Sequence, residues 1–200
     1  MFDDLANDFF KNKLEYLSEY VPKSFSANLI TIIGFLIGLS AVILISFKFY
    51  KLGLIMIFIN RFFDGLDGVI ARRKGITSFG GYLDITCDFI FYSALICGFA
   101  LANLEKNGLP TIFLLFSFIG TGTSFLAFAA IEKNHTLSIG EKGEKSFFYM
   151  RGIIEGSETI AFYVMVCLFP DYFPVIAIIF GCFCWITVFV RVFSAYNLLK

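Results

Sequence analysis

Charge is what this chain has least of. Asp, Glu, Lys and Arg make up 16% of its 200 residues, against about 25% in ordinary soluble domains. The few charges cancel to a formal net charge of zero. That removes the basic footprint nucleic-acid binding requires, so no nucleic-acid partner is expected. No internal repeat, low-complexity tract or linker breaks the chain into parts. The start, Met1-Phe2-Asp3-Asp4, has no basic region ahead of an apolar core, so a cleavable signal peptide is not expected. The single histidine, His135, falls in a connection read as soluble and is assigned no role. The five cysteines, Cys87, Cys97, Cys167, Cys182 and Cys184, are odd in number and lie in apolar stretches. They read as small core residues, not as a disulfide set or a metal site.

Apolar surface fills the space that charge leaves. Hydrophobic residues make up 58% of the chain, 28 of them Phe, and the mean hydropathy is +0.80. A soluble domain of this length buries about 70% of its surface and could not hide so much. Lipid is therefore the expected solvent, and residues 1–200 read as one membrane domain. Spanning a bilayer as helix takes roughly 20 mostly apolar residues. Six stretches qualify: 27–47, 51–72, 80–104, 109–131, 147–169 and 172–197. The expected fold class is all-α, a polytopic membrane protein of six transmembrane helices. Ahead of them, residues 2–21 space Leu5, Phe9, Phe10, Leu14, Leu17 and Val21 among polar residues. That pattern fits an amphipathic helix on the membrane surface within a juxtamembrane segment 1–24, and equally a helix packed on the protein's own loops. Gly34 with Gly38, and Gly120 with Gly122, read as points of close helix contact.

Lys and Arg in the connections set the orientation. With the N-terminus inside, eleven of them (Lys11, Lys13, Lys23, Arg72, Arg73, Lys74, Lys133, Lys142, Lys145, Arg151 and Lys200) are cytoplasmic, and three (Lys48, Lys51 and Lys106) are outside. Both termini are therefore expected in the cytoplasm. On that topology every intramembrane charge falls in the cytoplasmic half: Arg61, Asp64, Asp67, Asp84, Asp88, Glu155, Glu158 and Arg191. Such charges are costly, roughly 2.5–3.5 kcal/mol or more at the bilayer centre, and so tend to mark function. One polar cavity opening inward accounts for them better than several separate defects.

Asp64 and Asp67 are spaced i, i+3, and Asp84 and Asp88 i, i+4, so each pair shares a helix face. If the two helices pack as neighbours, four carboxylates converge, and like charges in a low dielectric need cations among them. Oxygen-only donors suit Mg²⁺ or Mn²⁺, and Mg²⁺ is often shared with substrate phosphates. The plainer alternative pairs the aspartates with Arg61, Arg72 and Arg73. Gly68 and Ala71 leave room beside the carboxylates, although Gly68 also suits simple helix packing.

The stretch Asp64-Gly65-Leu66-Asp67-Gly68-Val69-Ile70-Ala71-Arg72, followed after seven residues by Gly80-Gly81-Tyr82-Leu83-Asp84-Ile85-Thr86-Cys87-Asp88, resembles the signature of the CDP-alcohol phosphatidyltransferases. All eight fixed positions of D-x-x-D-G-x-x-A-R and G-x-x-x-D-x-x-x-D are present in order. Asn60-Arg61, Phe118-Ile119-Gly120-Thr121-Gly122 and Glu155-Gly156-Ser157-Glu158-Thr159 look like a bacterial inner-membrane branch of that family. The resemblance implies a transferase of phospholipid biosynthesis acting on CDP-diacylglycerol or a similar CDP-linked lipid. An acceptor alcohol would attack the lipid-side phosphorus and CMP would leave. It implies two metal ions, with Asp64, Asp67 and Asp84 as ligands and Asp88 as general base, also able to touch a metal. It also implies that Gly68, Ala71, Arg72 and Gly80 line the nucleotide site, and that the protein is a homodimer in the bacterial inner membrane with its site facing the cytoplasm. Asn28 and Thr31 match the family's first-helix nucleotide contacts, but Ala27 stands where proline is common.

For the acceptor, Lys145 and Arg151 could hold a phosphate, or serve only as positive-inside anchors. Glu155 and Glu158 could bind acceptor hydroxyls or an amine, or form a self-satisfied ion cluster with Arg151 and Arg191. Two rival functions fit less well. Intramembrane prenyltransferases set their two aspartate motifs farther apart in longer chains. A cation transporter would carry charge through the full depth of the membrane, whereas the outer half here has none.

Overall fold

The computed structural model describes residues 25–135 and 154–199, the side chains of 132–135 and 198–199 excepted, together with Glu15, Tyr16, Ser18, Tyr20 and Pro22. Within them run six α-helices: α1 (Ala27–Ser46), α2 (Tyr50–Lys74), α3 (Ser78–Ala102), α4 (Leu104–His135), α5 (Gly156–Leu168) and α6 (Phe173–Leu199). A 3₁₀ turn, Pro170–Tyr172, joins α5 to α6, and the described residues contain no strand. The expected surface helix over 2–21 lies almost wholly outside the described residues.

Local chemistry sets the helix ends. Ser26 caps α1 by accepting from the Leu29 N–H at 3.2 Å, and Thr77 caps α3 through the Gly80 N–H at 3.0 Å. Gly75 ends α2 at φ 107, a left-handed conformation that a side chain would strain. Asn103 accepts from the Lys106 N–H at 3.2 Å and starts α4 there. Sequence spacing alone puts this start near 109, beside Pro110. The helix instead runs through Pro110 and continues to His135. His135 therefore belongs to helix backbone, not to a loop.

α1 inverts the rule of a soluble helix. Its buried positions are Ile30, Gly34, Gly38, Ala41 and Ile45, mostly small. Its exposed positions include Leu29, Ile32, Leu36 and Ile43. Large apolar residues turned outward are stable only against lipid, while small ones inward let backbones approach. A Cβ on Gly34 would stand 2.7 Å from Phe63 Cβ of α2, and one on Gly38 would stand 2.8 Å from the Phe91 ring of α3. Both glycines are thus the close contacts expected of them, and Gly120 and Gly122 likewise receive Trp185 and Phe89.

α1 packs on α2 and on α3, α4 packs on α6, and α3 joins the two groups through α4. The core between them is aromatic: Phe99 stacks on Phe173 at 4.8 Å and Phe162 on Phe180 at 4.5 Å between ring centroids. Cys167 and Cys184 are buried in this core as expected. Cys97 and Cys182 are exposed, and Cys87 is half-buried.

Four segments, Ala27–Ser46, Ser78–Ala102, Leu104–Ile131 and Pro170–Asn197, are long and apolar enough to cross a membrane. This is an integral membrane architecture. α2 is as long as α3, 25 residues, but carries the charges of the site. α5 is a shorter apolar helix of 13 residues. Within the stretch read as a span over 147–169, α5 covers Gly156–Leu168, and residues 147–153 lie outside the described residues.

Candidate active site

α2 and α3 both lean on α1, yet make few close backbone approaches to each other. The gap between them is a small, partly open pocket. Its walls are Thr31, Gly34 and Phe35 from α1, Asn60, Arg61, Asp64 and Asp67 from α2, and Asp84, Cys87 and Asp88 from α3. The four aspartates thus converge, by facing one another across a gap and not by direct packing of their helices. Cys87 belongs to this wall and not to the core.

Arg61 occupies the middle of the pocket. Its Nη2 lies 2.6 Å from Asp88 Oδ1 and its Nη1 3.3 Å from Asp88 Oδ2, a two-pronged clamp. Nη1 also reaches Asp64 Oδ2 at 3.4 Å and the Tyr92 hydroxyl at 3.0 Å. Nε donates to Asn60 Oδ1 at 2.8 Å. Asn60 in turn donates to the Gly34 carbonyl at 2.9 Å, tying the cation to the α1 backbone. The guanidinium carbon lies 5.1 Å from the Phe91 ring centroid and 5.3 Å from that of Tyr92. Asp67, buried, accepts from Thr31 Oγ1 at 2.6 Å.

Arg61 is therefore the counter-ion that the plainer sequence alternative named. Arg72 and Arg73 lie elsewhere: both are exposed in the last turn of α2 and do not line the pocket. One guanidinium among four carboxylates leaves the pocket with a surplus of negative charge and an all-oxygen donor set. Both features fit hard divalent cations. Among the described residues no three His, Cys, Asp or Glu side chains stand gathered around a single point.

Of the expected nucleotide residues, only Thr31 lines the pocket. Asn28 lies in the first turn of α1 and Gly80 in the first turn of α3, and Asn28 Oδ1 lies 3.1 Å from where a Gly80 Cβ would be. Gly68 and Ala71 follow Asp64 and Asp67 by one turn, and the Arg72 guanidinium folds back over Gly68. Thr31 belongs to the wall itself, as the partner of Asp67.

The expected acceptor residues divide. Lys145 and Arg151 lie outside the described residues. Glu158 accepts from the Glu155 N–H at 3.0 Å in a capping box that begins α5. Neither glutamate lines the pocket, but Gly156 between them faces the Tyr92 hydroxyl, 3.9 Å from a Cβ placed there. Arg191, buried, donates to the Thr121 carbonyl at 3.0 Å and lies over the Phe125 ring. Sequence reasoning gives no role to Asn60 or Tyr92. Tyr92 is within its reach: it follows Asp88 by one turn and so shares its face.

Comparison with known proteins supports the same reading. The chain is 48% identical over 171 residues to the inner membrane protein YnjF of Escherichia coli (strain K12), covering 86% of this chain and 83% of that one. It is 30% identical over 173 residues to an archaetidylinositol phosphate synthase of Pyrococcus horikoshii, covering 84% and 82%. In structure it superposes on the Mycobacterium tuberculosis phosphatidylinositol phosphate synthase PgsA1 with CDP-DAG bound, with a TM-score of 0.66 and 20% identity over 92% of this chain and 93% of that one. The same enzyme has also been solved with manganese and citrate, where the TM-score is 0.60 at 22% identity over 86% and 83%. The family model for CDP-alcohol phosphatidyltransferase matches residues 25–193, and the chain belongs to that family.

Proposed function

We propose that this chain moves a phosphatidyl group from CDP-diacylglycerol, or a similar CDP-linked lipid, to an acceptor alcohol and releases CMP, as a single catalytic domain in phospholipid synthesis. The observation that carries this reading is the convergence of all four motif aspartates on one pocket between α2 and α3. Asp64, Asp67 and Asp84 are the proposed ligands of two Mg²⁺ or Mn²⁺ ions, and Asp88 is able to share one. Such ions, when bound, neutralise a pyrophosphate and the charge that moves onto the leaving group.

The remaining work belongs to the chain. Arg72, in the last turn of α2, and the N-terminal turns of α1 and α3 offer positive charge and free N–H groups to the nucleotide phosphates. Gly68, Ala71 and Gly80 keep that surface low, and Asn28 and Thr31 border it. In the transfer step the acceptor oxygen bonds to the lipid-side phosphorus and the bond from that phosphorus to the CMP oxygen breaks. The hydroxyl proton passes to the Asp88 carboxylate. The acceptor is proposed to enter beside Tyr92 and the Glu155–Glu158 turn, with Lys145 and Arg151 as candidates for an acceptor phosphate.

Six spans, both termini and the pocket mouth on the cytoplasmic side of an inner membrane, and a homodimer complete the proposal. The distribution of Lys and Arg supports the sidedness. The name of the Escherichia coli relative supports the membrane, and the manganese and CDP-DAG complexes of the mycobacterial enzyme support the ligands.

The test is CMP release from CDP-diacylglycerol by purified protein with Mg²⁺ or Mn²⁺ across a panel of acceptor alcohols. Asp88→Asn is expected to lower the rate by about 10²–10⁴-fold. Metal-independent release, or an Asp88→Asn variant as active as the parent, would overturn the assignment.

A further inference from the structure

We propose that Arg61 and divalent metal compete for the same carboxylates, and that metal enters by displacing the guanidinium from Asp88 and Asp64. The inference rests on the reading of the aspartates as metal ligands and adds to it a second state of the same site.

Three observations carry it. First, Arg61 engages both oxygens of Asp88, at 2.6 and 3.3 Å, and one of Asp64, at 3.4 Å. A carboxylate gripped on both oxygens has given the guanidinium two of its roughly four lone-pair sites, on the side that faces the pocket's cation, leaving fewer for a metal or for the acceptor's proton. A metal or acceptor that needs these oxygens must therefore compete with Arg61. Second, Arg61 is the one cationic side chain lining the pocket among the described residues. A divalent ion sharing Asp88 with it would meet a like charge at close range in a poorly solvated gap, so the two cations exclude each other. Third, Arg61 has somewhere to remain. Asn60 Oδ1, the Tyr92 hydroxyl and the faces of Phe91 and Tyr92 are all uncharged partners that metal does not take. Losing the carboxylates thus leaves the guanidinium hydrogen-bonded and stacked, not stranded.

Arg61 acts here as a positioning residue with two jobs. Without metal it neutralises carboxylates that would otherwise repel. When metal arrives it releases Asp88, so that the base becomes available only in a loaded site.

Metal binding without substrate separates this from a purely structural role. Full-length protein in nanodiscs is titrated with Mn²⁺, and free ion is followed by electron paramagnetic resonance. Wild type should bind Mn²⁺, and Asp67→Asn should abolish or greatly weaken that binding; if wild type binds none, the metal reading itself falls. Arg61→Gln should tighten Mn²⁺ binding about tenfold or more, since the competing charge is gone. Arg61→Lys should tighten it less, because an ammonium keeps the charge but cannot make the two-pronged clamp. Damage to the fold would weaken binding, not strengthen it. Equal or weaker binding by a folded Arg61→Gln protein, with wild type still binding, overturns the displacement and leaves the metal site standing. Should Arg61→Gln fail to fold, Arg61→Lys decides alone: tighter binding supports the inference, and equal or weaker binding ends it.

Discussion

Thr31 and Asp67 form the side-chain contact in this pocket that is easiest to isolate. The hydroxyl sits 2.6 Å from Asp67 Oδ2 on a different helix, so it fixes the carboxylate without being part of the motif. Partners of this kind orient a metal ligand, and losing one costs about 10–100-fold in metal affinity or activity. Thr31→Ala should therefore raise the Mn²⁺ concentration needed for half-maximal CMP release by that order, and Thr31→Ser should restore it. The four aspartates were legible in the sequence because carboxylates at helical spacing inside a membrane span are too costly to keep without a task. Arg61 was legible only as a charge to be balanced. The direction of that balance was not, since Asp88 lies 27 residues away along the chain and on another helix. Only the fold decides whether Arg61 turns toward it or Arg72 does.

At the scale of helices, Glu155 and Glu158 show how one local pattern can carry two meanings. Read along the sequence, they are charges inside a span over 147–169. In the structure they begin α5, and Glu158 pairs with the Glu155 N–H. The pattern lacks the Ser or Thr that usually signals an N-cap, so the sequence does not mark where α5 begins. Pro110 misleads in the opposite sense, because a proline near a helix start reads as its first turn, while Asn103 has already supplied the cap. The capping role makes the acceptor idea testable. Gln can serve as well as Glu at the third position of a capping box. Glu158→Gln should leave thermal stability nearly unchanged, and Glu158→Ala should lose about 1 kcal/mol. A change of acceptor preference in the Gln variant, with CDP-lipid binding intact, would show that the carboxylate contacts the acceptor; unchanged preference would leave it a cap. α1 offers a second element test. Gly38→Leu would drive carbon into the Phe91 ring and toward Asn60 Nδ2, which lies 2.9 Å from the Cβ position. Overpacking of this kind costs about 1–3 kcal/mol, and the detergent-solubilised variant should melt correspondingly lower.

For the whole molecule, the fold class was legible because composition left lipid as the only solvent for so many Phe, Ile and Leu side chains. The residues now seen exposed on α1, α4 and α6 are the ones that forced that conclusion. Sidedness rests on Lys and Arg alone and calls for its own measurement. Ile76 lies exposed between α2 and α3, and Lys106 is exposed in the first turns of α4, at the other end of α3. In a background without the native cysteines, Lys106→Cys should react with a membrane-impermeant maleimide in intact cells. Ile76→Cys should react only after the membrane is opened. The reverse pattern would turn the topology over and move the pocket mouth to the outer face.

α5 has one more consequence. Thirteen residues of helix reach about 20 Å, while the hydrocarbon layer is roughly 30 Å thick. The first turn of that helix places Gly156 against the Tyr92 hydroxyl, beside the aspartate pocket. A hydrophobic stretch shorter than the hydrocarbon layer can be met by local thinning of the bilayer. Any such thinning beside α5 would leave water-soluble acceptor and departing CMP less oil to cross.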